Sequence, residues 1–364
     1  MTKEYTIPYL PLPYDLESKA VLRQLNRANR KLAELRGVAQ TIPNENILIN
    51  TLAMQEAKDS SEVENIITTQ DDLYKADILS NKNMLRAAEK EVMNYREALL
   101  AGFSMVRKTR ILKQNTIIEV QQQLEKNTAG FRRVPGTVLK NSLGEVVYTP
   151  PQDGQAIESY MANLEKFIND ESICDLDPLI KMAIIHHQFE SIHPFYDGNG
   201  RTGRIVLILY LVTSDLLDLP VLYLSRFITH NKSEYYRLLQ NIRDKNIDNA
   251  DEWREWILFI LKGVEKTATE TIELVKGINK LMTEYKQILR PEFKKQYKHE
   301  LLNNLFFHPY TKIEFVERDM MVTRKTAASY LERIVSLGLL QKTKMGKSNY
   351  YINQNLINLF VNHE

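Results

Sequence analysis

The residues of this chain that could do chemistry together are His193-Pro194-Phe195-Tyr196-Asp197-Gly198-Asn199-Gly200-Arg201-Thr202-Gly203-Arg204. The run holds an imidazole, a carboxylate, an Asn between two glycines, and two guanidinium groups. An imidazole accepts protons near neutral pH, and a carboxylate oxygen suits a hard cation. Backbone freed by glycine can turn its amides toward an anion. Phosphoryl or nucleotidyl transfer to a hydroxyl needs this set: a proton acceptor, a Mg²⁺ anchor and positive charge around a polyphosphate.

The flanking elements must hold that loop. Asp177-Pro178 is a helix start, with an N-cap carboxylate and proline at the first position. Leu179, Ile180, Ala183, Ile184 and His187 then recur at helical spacing until Pro194 and the glycines break the pattern. The apolar run Ile205 to Val212 predicts a buried helix. The loop therefore feeds a helix N-terminus, where free N–H groups and the dipole favour an anion. Asn199, flanked by glycines, is expected to tolerate a positive φ. Gly198 to Gly203 also matches G-x-G-x-x-G, but a dinucleotide fold needs a strand before that motif, and here a helix and a proline precede it. The plainer alternative is a turn between helices with a buried, satisfied histidine.

The twelve residues resemble the Fic signature, H-x-F-x-(D/E)-G-N-G-R-x-x-R, with every specified position filled. The resemblance extends over residues 40–260, as in a Fic-type protein with an N-terminal regulatory segment. It implies a mainly α fold, a Fic-type helical domain with a small β-hairpin flap. It also implies transfer of AMP from ATP, with Mg²⁺, to a Ser, Thr or Tyr hydroxyl of a protein. By resemblance His193 is the general base and Asp197 the Mg²⁺ ligand. The amides of Gly198, Asn199 and Gly200 form the anion hole, Arg201 faces the β-phosphate and Arg204 the γ-phosphate. Thr202 and Gly203 complete the nucleotide-binding run without individual roles, and Phe195 packs inward. Tyr235, at a helix start beside Tyr236, is the expected adenine neighbour; a half-buried core tyrosine is the alternative.

Ser60-Ser61-Glu62-Val63-Glu64-Asn65 carries two readings. Ser61-x-x-Glu64 has the spacing of a helix capping box. Ser60-x-x-x-Glu64-Asn65 resembles the inhibitory [S/T]-x-x-x-E-[G/N] motif of Fic proteins. That resemblance implies that Glu64 pairs with Arg204, keeps the γ-phosphate out, and leaves an autoinhibited enzyme.

The 364 residues, 43% apolar and 26% charged, suit a globular chain of two or three domains. Thirteen glycines and twelve prolines favour helices over β-rich architecture, and a net charge of +2 does not mark the whole chain for nucleic acid. One cysteine, Cys174, excludes an intramolecular disulfide; with no signal-like or membrane-spanning run, a cytoplasmic protein is expected. The expected organisation is an N-terminal helical region over 1–110, with the inhibitory helix near 44–68, and a catalytic core over 111–262. A helical connector over 263–300, broken at Arg290-Pro291, leads to a winged helix-turn-helix over 301–364. Within the first region helices are expected over 18–39 and 44–60, with a break near Asn81–Asn83.

Phe131 to Pro151 reads as a hairpin turning at Asn141-Ser142-Leu143-Gly144. The resemblance makes it the flap that docks a protein substrate by strand addition, with self-modification and a homodimer left open. The C-terminal segment has eight Lys+Arg against five Asp+Glu, with Arg324, Lys325, Lys342, Lys344 and Lys347 where a recognition helix and wing would lie. The excess is small, so a structural or dimerising role is expected of this module; DNA binding is the competing class, a transcriptional regulator that senses nucleotide. AMP removal, or a different phosphate-containing donor, is also left open by the loop residues.

Overall fold

The computed structural model describes residues 5–78, 85–141, 143–245, 249–345 and 348–361. The break expected near Asn81–Asn83, Ser142 of the hairpin turn and Gly346-Lys347 of the wing lie outside them. Among the described residues the architecture is mainly helical, with a two-stranded and a three-stranded sheet. None of the described helices is long and apolar enough to cross a membrane.

The N-terminal arm lies on the body, burying Ile7, Leu10 and Leu16, and Leu10 exchanges hydrogen bonds with the Asn163 side chain. Helix α1 (Lys19–Ala39) starts where Ser18 accepts from the Val21 amide. Its stripe of Val21, Leu25, Ala28, Leu32 and Leu35 packs on α11 (Ala250–Phe293). Helix α11 is one continuous element of 44 residues, so it crosses the expected boundary at 262. Pro291 lies inside it rather than breaking it. A proline there forfeits one hydrogen bond, but Leu289 and Phe293 on either side are buried and hold the last turn in place.

Helix α2 (Glu45–Val63) is capped by Asn44 and runs three residues past the expected end. Ser61 therefore sits within its last turns and Glu64 is its C-cap. The capping-box reading fails because these residues close a helix instead of opening one. Asn65 (φ +62°) supplies the left-handed residue that ends α2, with the Ile66 amide bonding back to the Ser61 carbonyl. Helices α3 (Gln70–Ile78), α4 (Ala87–Thr109) and α5 (Gln114–Glu125) follow.

The hairpin is shorter than its composition suggests: β1 (Leu139–Lys140) pairs antiparallel with β2 (Val146–Tyr148) through a bulge. Val134 and Val138 lie outside it, on exposed chain. After α6 (Gly154–Asn169) come the two helices that frame the signature, α7 (Pro178–Ile192) and α8 (Asn199–Thr213). Both are buried almost all round, and every residue from Ile205 to Val212 is buried. Each such aliphatic side chain contributes about 1.5–3 kcal/mol of gross stabilisation, which fixes α8 as a rigid post. Helices α9 (Leu224–His230) and α10 (Lys232–Lys245) close the core before α11.

The C-terminal module has α12 (His299–Phe307), β3 (Tyr310–Thr311), α13 (Ile313–Met320), α14 (Arg324–Ser336), β4 (Gln341–Met345), β5 (Ser348–Ile352) and α15 (Gln354–Val361). Its sheet order is β3-β5-β4, and Thr323 caps α14. This is the arrangement of a winged helix, with α15 added behind it on α11. The module rests on α2 and α3: Asn50 donates to the Phe307 carbonyl at 2.9 Å, and Tyr310 stacks on Tyr74.

Buried titratable groups make the fold pH-sensitive. Burial pushes His186 down to about 3 and His308 to about 4, and holds His187 far below 6.5. As pH falls below 6.5 the unfolded chain gains protons that these folded imidazoles refuse, so stability is lost. Burial pushes Glu56 up to about 8 and Glu190 to about 7, so the stability they contribute below 4.5 is lost as pH rises through those values. Denaturant unfolding over a pH series should therefore give a maximum midpoint around pH 6.5, falling toward pH 4. A midpoint that rises steadily on acidification would contradict the burial of these histidines.

Candidate active site

His193 is the residue that ends α7, in the left-handed region (φ +49°), and its amide still bonds to the Phe189 carbonyl. The chain then turns through Pro194 to Gly198 and enters α8. Gly198 (φ +75°) is the second left-handed residue; Asn199 is not, contrary to the sequence expectation, because it already belongs to α8. Asn199 works through its side chain, accepting from the Phe195 amide and donating to the Phe195 carbonyl, both at 2.8 Å. Phe195 is buried against Phe131 and Phe189. A loop that crosses the core has no water for its backbone groups, so this Asn supplies both partners.

The two glycines around Asn199 leave room for a carboxylate each, and the positive φ of Gly198 further favours glycine there. A methyl on Gly198 would stand 2.3 Å from Glu125 Oε1, and one on Gly200 would stand 2.5 Å from Glu64 Oε1. Both carboxylates sit against the first turn of α8, the positive end of a buried helix. Each also holds a signature arginine. Arg201 donates to Glu91 at 2.8 Å and to Glu125 at 2.9 Å. Arg204, 2% exposed, donates through Nε to Ser60 Oγ at 2.8 Å. Its Nη2 reaches the Ser60 carbonyl at 2.8 Å and Glu64 Oε1 at 2.9 Å. The cradle is built for anions, and the chain places its own carboxylates in it.

Electrostatics fixes the charge states. Burial opposes the charge on Arg204, but Glu64, the phenols of Tyr235 and Tyr95, and Glu190 outweigh it and hold the guanidinium firmly protonated. His193 moves the other way. Burial, then the cations of Arg243 and Arg132, push its imidazole from 6.5 down to about 3. At neutral pH the ring is uncharged and able to accept a proton. Its residue surface is half-buried.

Asp197 is exposed, and its Oδ1 accepts from the Gly198 amide at 2.7 Å, which leaves Oδ2 for other partners. Among the described residues no cluster of three His, Cys, Asp or Glu could hold a metal ion. One carboxylate beside a phosphate cradle fits Mg²⁺, which is usually held by one or two carboxylates plus phosphate oxygens and water.

The structure thus brings together His193, Asp197, the run Gly198 to Arg204, and Glu64 from a distant helix. Thr202 is buried and Gly203 lets α7 approach: a methyl there would meet Glu190 Oε1 at 2.8 Å. Tyr235 does not open toward the cradle. It is 2% exposed, packed on Trp256, with its hydroxyl 2.8 Å from His186 Nε2. Tyr236, next in sequence, is 44% exposed, and its phenol is raised first by burial and then by the charge of Glu64. Sequence reading also passed over Arg132, Arg243, Glu91 and Glu125. None stands in a motif, and Arg132 and Arg133 are adjacent arginines with nothing to separate the buried one from the exposed one.

Residues 111–211 match the Fic/DOC family, and residues 22–104 match the Fic/DOC family N-terminal region, half of the chain between them. The chain belongs to the Fic/DOC family. Residues 281–356 match the C-terminal domain described for SoFic-like protein adenylyltransferases. Protein adenylyltransferase fic-1 of Caenorhabditis briggsae is 30% identical over 131 residues, 35% of this chain and 23% of that protein. Its Caenorhabditis elegans counterpart is 29% identical over 153 residues, 39% and 27% respectively. The chain thus spans about a quarter of the length of these relatives.

A solved Fic family protein from Desulfovibrio desulfuricans shares the fold with a TM-score of 0.57 and 16% identity, over 94% of this chain and 98% of that one. Fic-1 (residues 134–508) of Caenorhabditis elegans superposes with a TM-score of 0.53 and 20% identity, over 70% of this chain and 74% of that one. The expected fold, a helical Fic domain with a small hairpin and a C-terminal domain carrying a small sheet, is the one observed.

The Asn199 clamp carries a stability prediction for this Fic protein. Asn199→Ala leaves a buried amide and carbonyl of Phe195 without partners and should cost about 1–3 kcal/mol in denaturant unfolding. An unchanged midpoint would show that the loop finds other partners.

Proposed function

We propose that this Fic protein transfers AMP from ATP to a Ser, Thr or Tyr hydroxyl of a protein, and that the arrangement seen here is its held-back form. The observation that carries the reading is the Glu64 carboxylate on Arg204, lying over Gly200 at the mouth of α8. A carboxylate seated there has the charge and the geometry of the terminal phosphate it would exclude.

With Glu64 withdrawn, the residues divide the reaction between them. The amides at the start of α8 and the guanidinium groups of Arg201 and Arg204 hold the polyphosphate. Asp197 would hold Mg²⁺, which shields the charge of the phosphates when bound. His193, kept neutral by its surroundings, accepts the proton of the target hydroxyl. The oxygen bonds to the α-phosphorus as the bond to pyrophosphate breaks. Pyrophosphate carries away the displaced charge, and the AMP remains on the target oxygen. The hairpin β1–β2 is a short ladder with exposed chain before it, suited to receive a target strand by main-chain hydrogen bonds.

The alternative, a DNA-binding regulator, loses support from two ion pairs in the module. Arg324 is paired with Glu314 at 2.8 Å and Lys342 with Glu332 at 2.5 Å, which leaves less free positive charge for phosphates.

The test uses ATP labelled on the α-phosphate with Mg²⁺. Glu64→Gly should raise label on protein at least ~10-fold over wild type, and adding His193→Ala should cut it ~10²–10⁴-fold. Equal labelling by wild type and Glu64→Gly would overturn the held-back form. No labelling by either variant, despite ATP binding, would overturn the transferase reading.

A further inference from the structure

We propose that Arg132 is the positioning residue for His193, the side chain that fixes where the transfer base stands; the inference rests on reading His193 as that base. Arg132 is one of the largest fully buried side chains among the described residues, although it precedes the exposed hairpin. Its Nε donates to the His193 carbonyl at 2.8 Å and its Nη2 to the Ile192 carbonyl at 3.4 Å. Its own amide donates to the Pro194 carbonyl at 2.8 Å. Three consecutive carbonyls, from Ile192 at the end of α7 to Pro194 in the loop, are therefore held by one residue. Beside it, the Tyr196 hydroxyl accepts from the amides of Arg133 and Val134 at 3.0 and 3.3 Å. The signature loop is fastened to segment 131–134 on both sides of Phe195.

Physics explains why a guanidinium is needed. The last carbonyls of α7 have no partner within the helix and lie at its negative end. Buried Arg132 and Ile192 limit the access of water to them. His193 itself sits at φ +49°, a conformation a residue with a Cβ keeps only when its surroundings impose it. A planar fork on its carbonyl imposes that orientation and directs the imidazole from the opposite side of the same residue. Burial lowers the Arg132 pKa, and the phenols of Tyr148 and Tyr196 counter it. Nη1 is buried without a hydrogen-bond partner among the described residues, so the side chain is kept there by these carbonyls and not by an ion pair.

Arg132 touches neither the cradle arginines nor Asp197 in this arrangement. Its loss should therefore misplace the base and leave nucleotide binding alone. A misplacement of ~1 Å costs ~10²-fold in rate.

Three variants are made in a Glu64→Gly parent: Arg132→Met, Arg132→Lys and His193→Ala. Arg132→Met should lower kcat about 10²-fold with KM for ATP within about threefold. Arg132→Lys should recover part of the loss, since lysine keeps the charge and N–H donors without the planar fork. Independently of turnover, the His193 Cε1–Hε1 resonance, assigned by its disappearance in His193→Ala, should move in both Arg132 variants.

If Arg132→Met does not fold, Arg132→Lys carries both readouts. An unmoved resonance, or kcat within twofold of the parent in a folded variant, would overturn the proposal. A moved resonance in a parent that transfers no AMP would keep Arg132 as the residue that positions His193 and remove the base reading instead.

Discussion

A guanidinium with 2% of its side chain exposed cannot stay charged in a protein interior without an anion beside it, and Arg204 is such a group. It projects from α8, which is packed between α2, α4, α5 and α7, so the arginine cannot leave for solvent. Glu64, Ser60 Oγ and the Ser60 carbonyl together satisfy it. Removing an anion from a buried cation typically costs ~3–5 kcal/mol, and less here because Glu64 is itself 36% exposed. Any process that withdraws Glu64 must therefore bring another anion to the same place. In the proposed reading that anion is a terminal phosphate, and its competition with the carboxylate for one cation would connect this arrangement to the proposed chemistry.

The rest of the structure makes the competition a local event. The frame of α7, loop and α8 is rigid, being buried and stitched by Asn199, Arg132 and Tyr196. Helix α2 is anchored well away from Glu64: Glu56 accepts from Tyr95 at 2.9 Å and from Ser225, and Asp59 pairs with Arg226 at 3.3 Å on α9. Glu64 by contrast is the C-cap, with a left-handed residue next and a half-open side chain. The last turn can yield while the body of α2 stays docked. The same logic explains the chemistry of Ser60-x-x-x-Glu64-Asn65: a hydroxyl to meet Nε, a carboxylate one turn on, and a residue that accepts positive φ to end the helix.

Much of this could be read from the sequence, and for identifiable reasons. The signature is local, so its glycines, its arginines and the helices on either side are written in adjacent residues and in 3.6-residue periodicity. Asp177-Pro178 marked a helix start because capping is also local. What failed depends on distant partners. Ser61 to Glu64 has the spacing of an N-terminal box, and only the position of the helix before it shows that it is an ending. Pro291 was expected to break α11, but burial of the neighbouring side chains outweighs one missing hydrogen bond. Asn199 was expected to need its own backbone freedom, when its side chain is what the loop uses. Tyr235 and Tyr236 were a choice of helix face that turned on which side α11 covers. Arg132 carries no sequence signal, since a buried arginine is recognised by its partners and not by its neighbours in the chain.

The most direct measurement of the central claim is the ratio of ADP to ATP affinity, by isothermal titration with Mg²⁺, in wild type and in Glu64→Gly. If Glu64 occupies the seat of the terminal phosphate, wild type gains nothing from that phosphate and binds the two nucleotides alike. Glu64→Gly should then prefer ATP by about tenfold or more, as expected for one freed charge-assisted contact. The same ratio in both proteins would mean that the carboxylate on Arg204 and the terminal phosphate do not compete, and the account would fail.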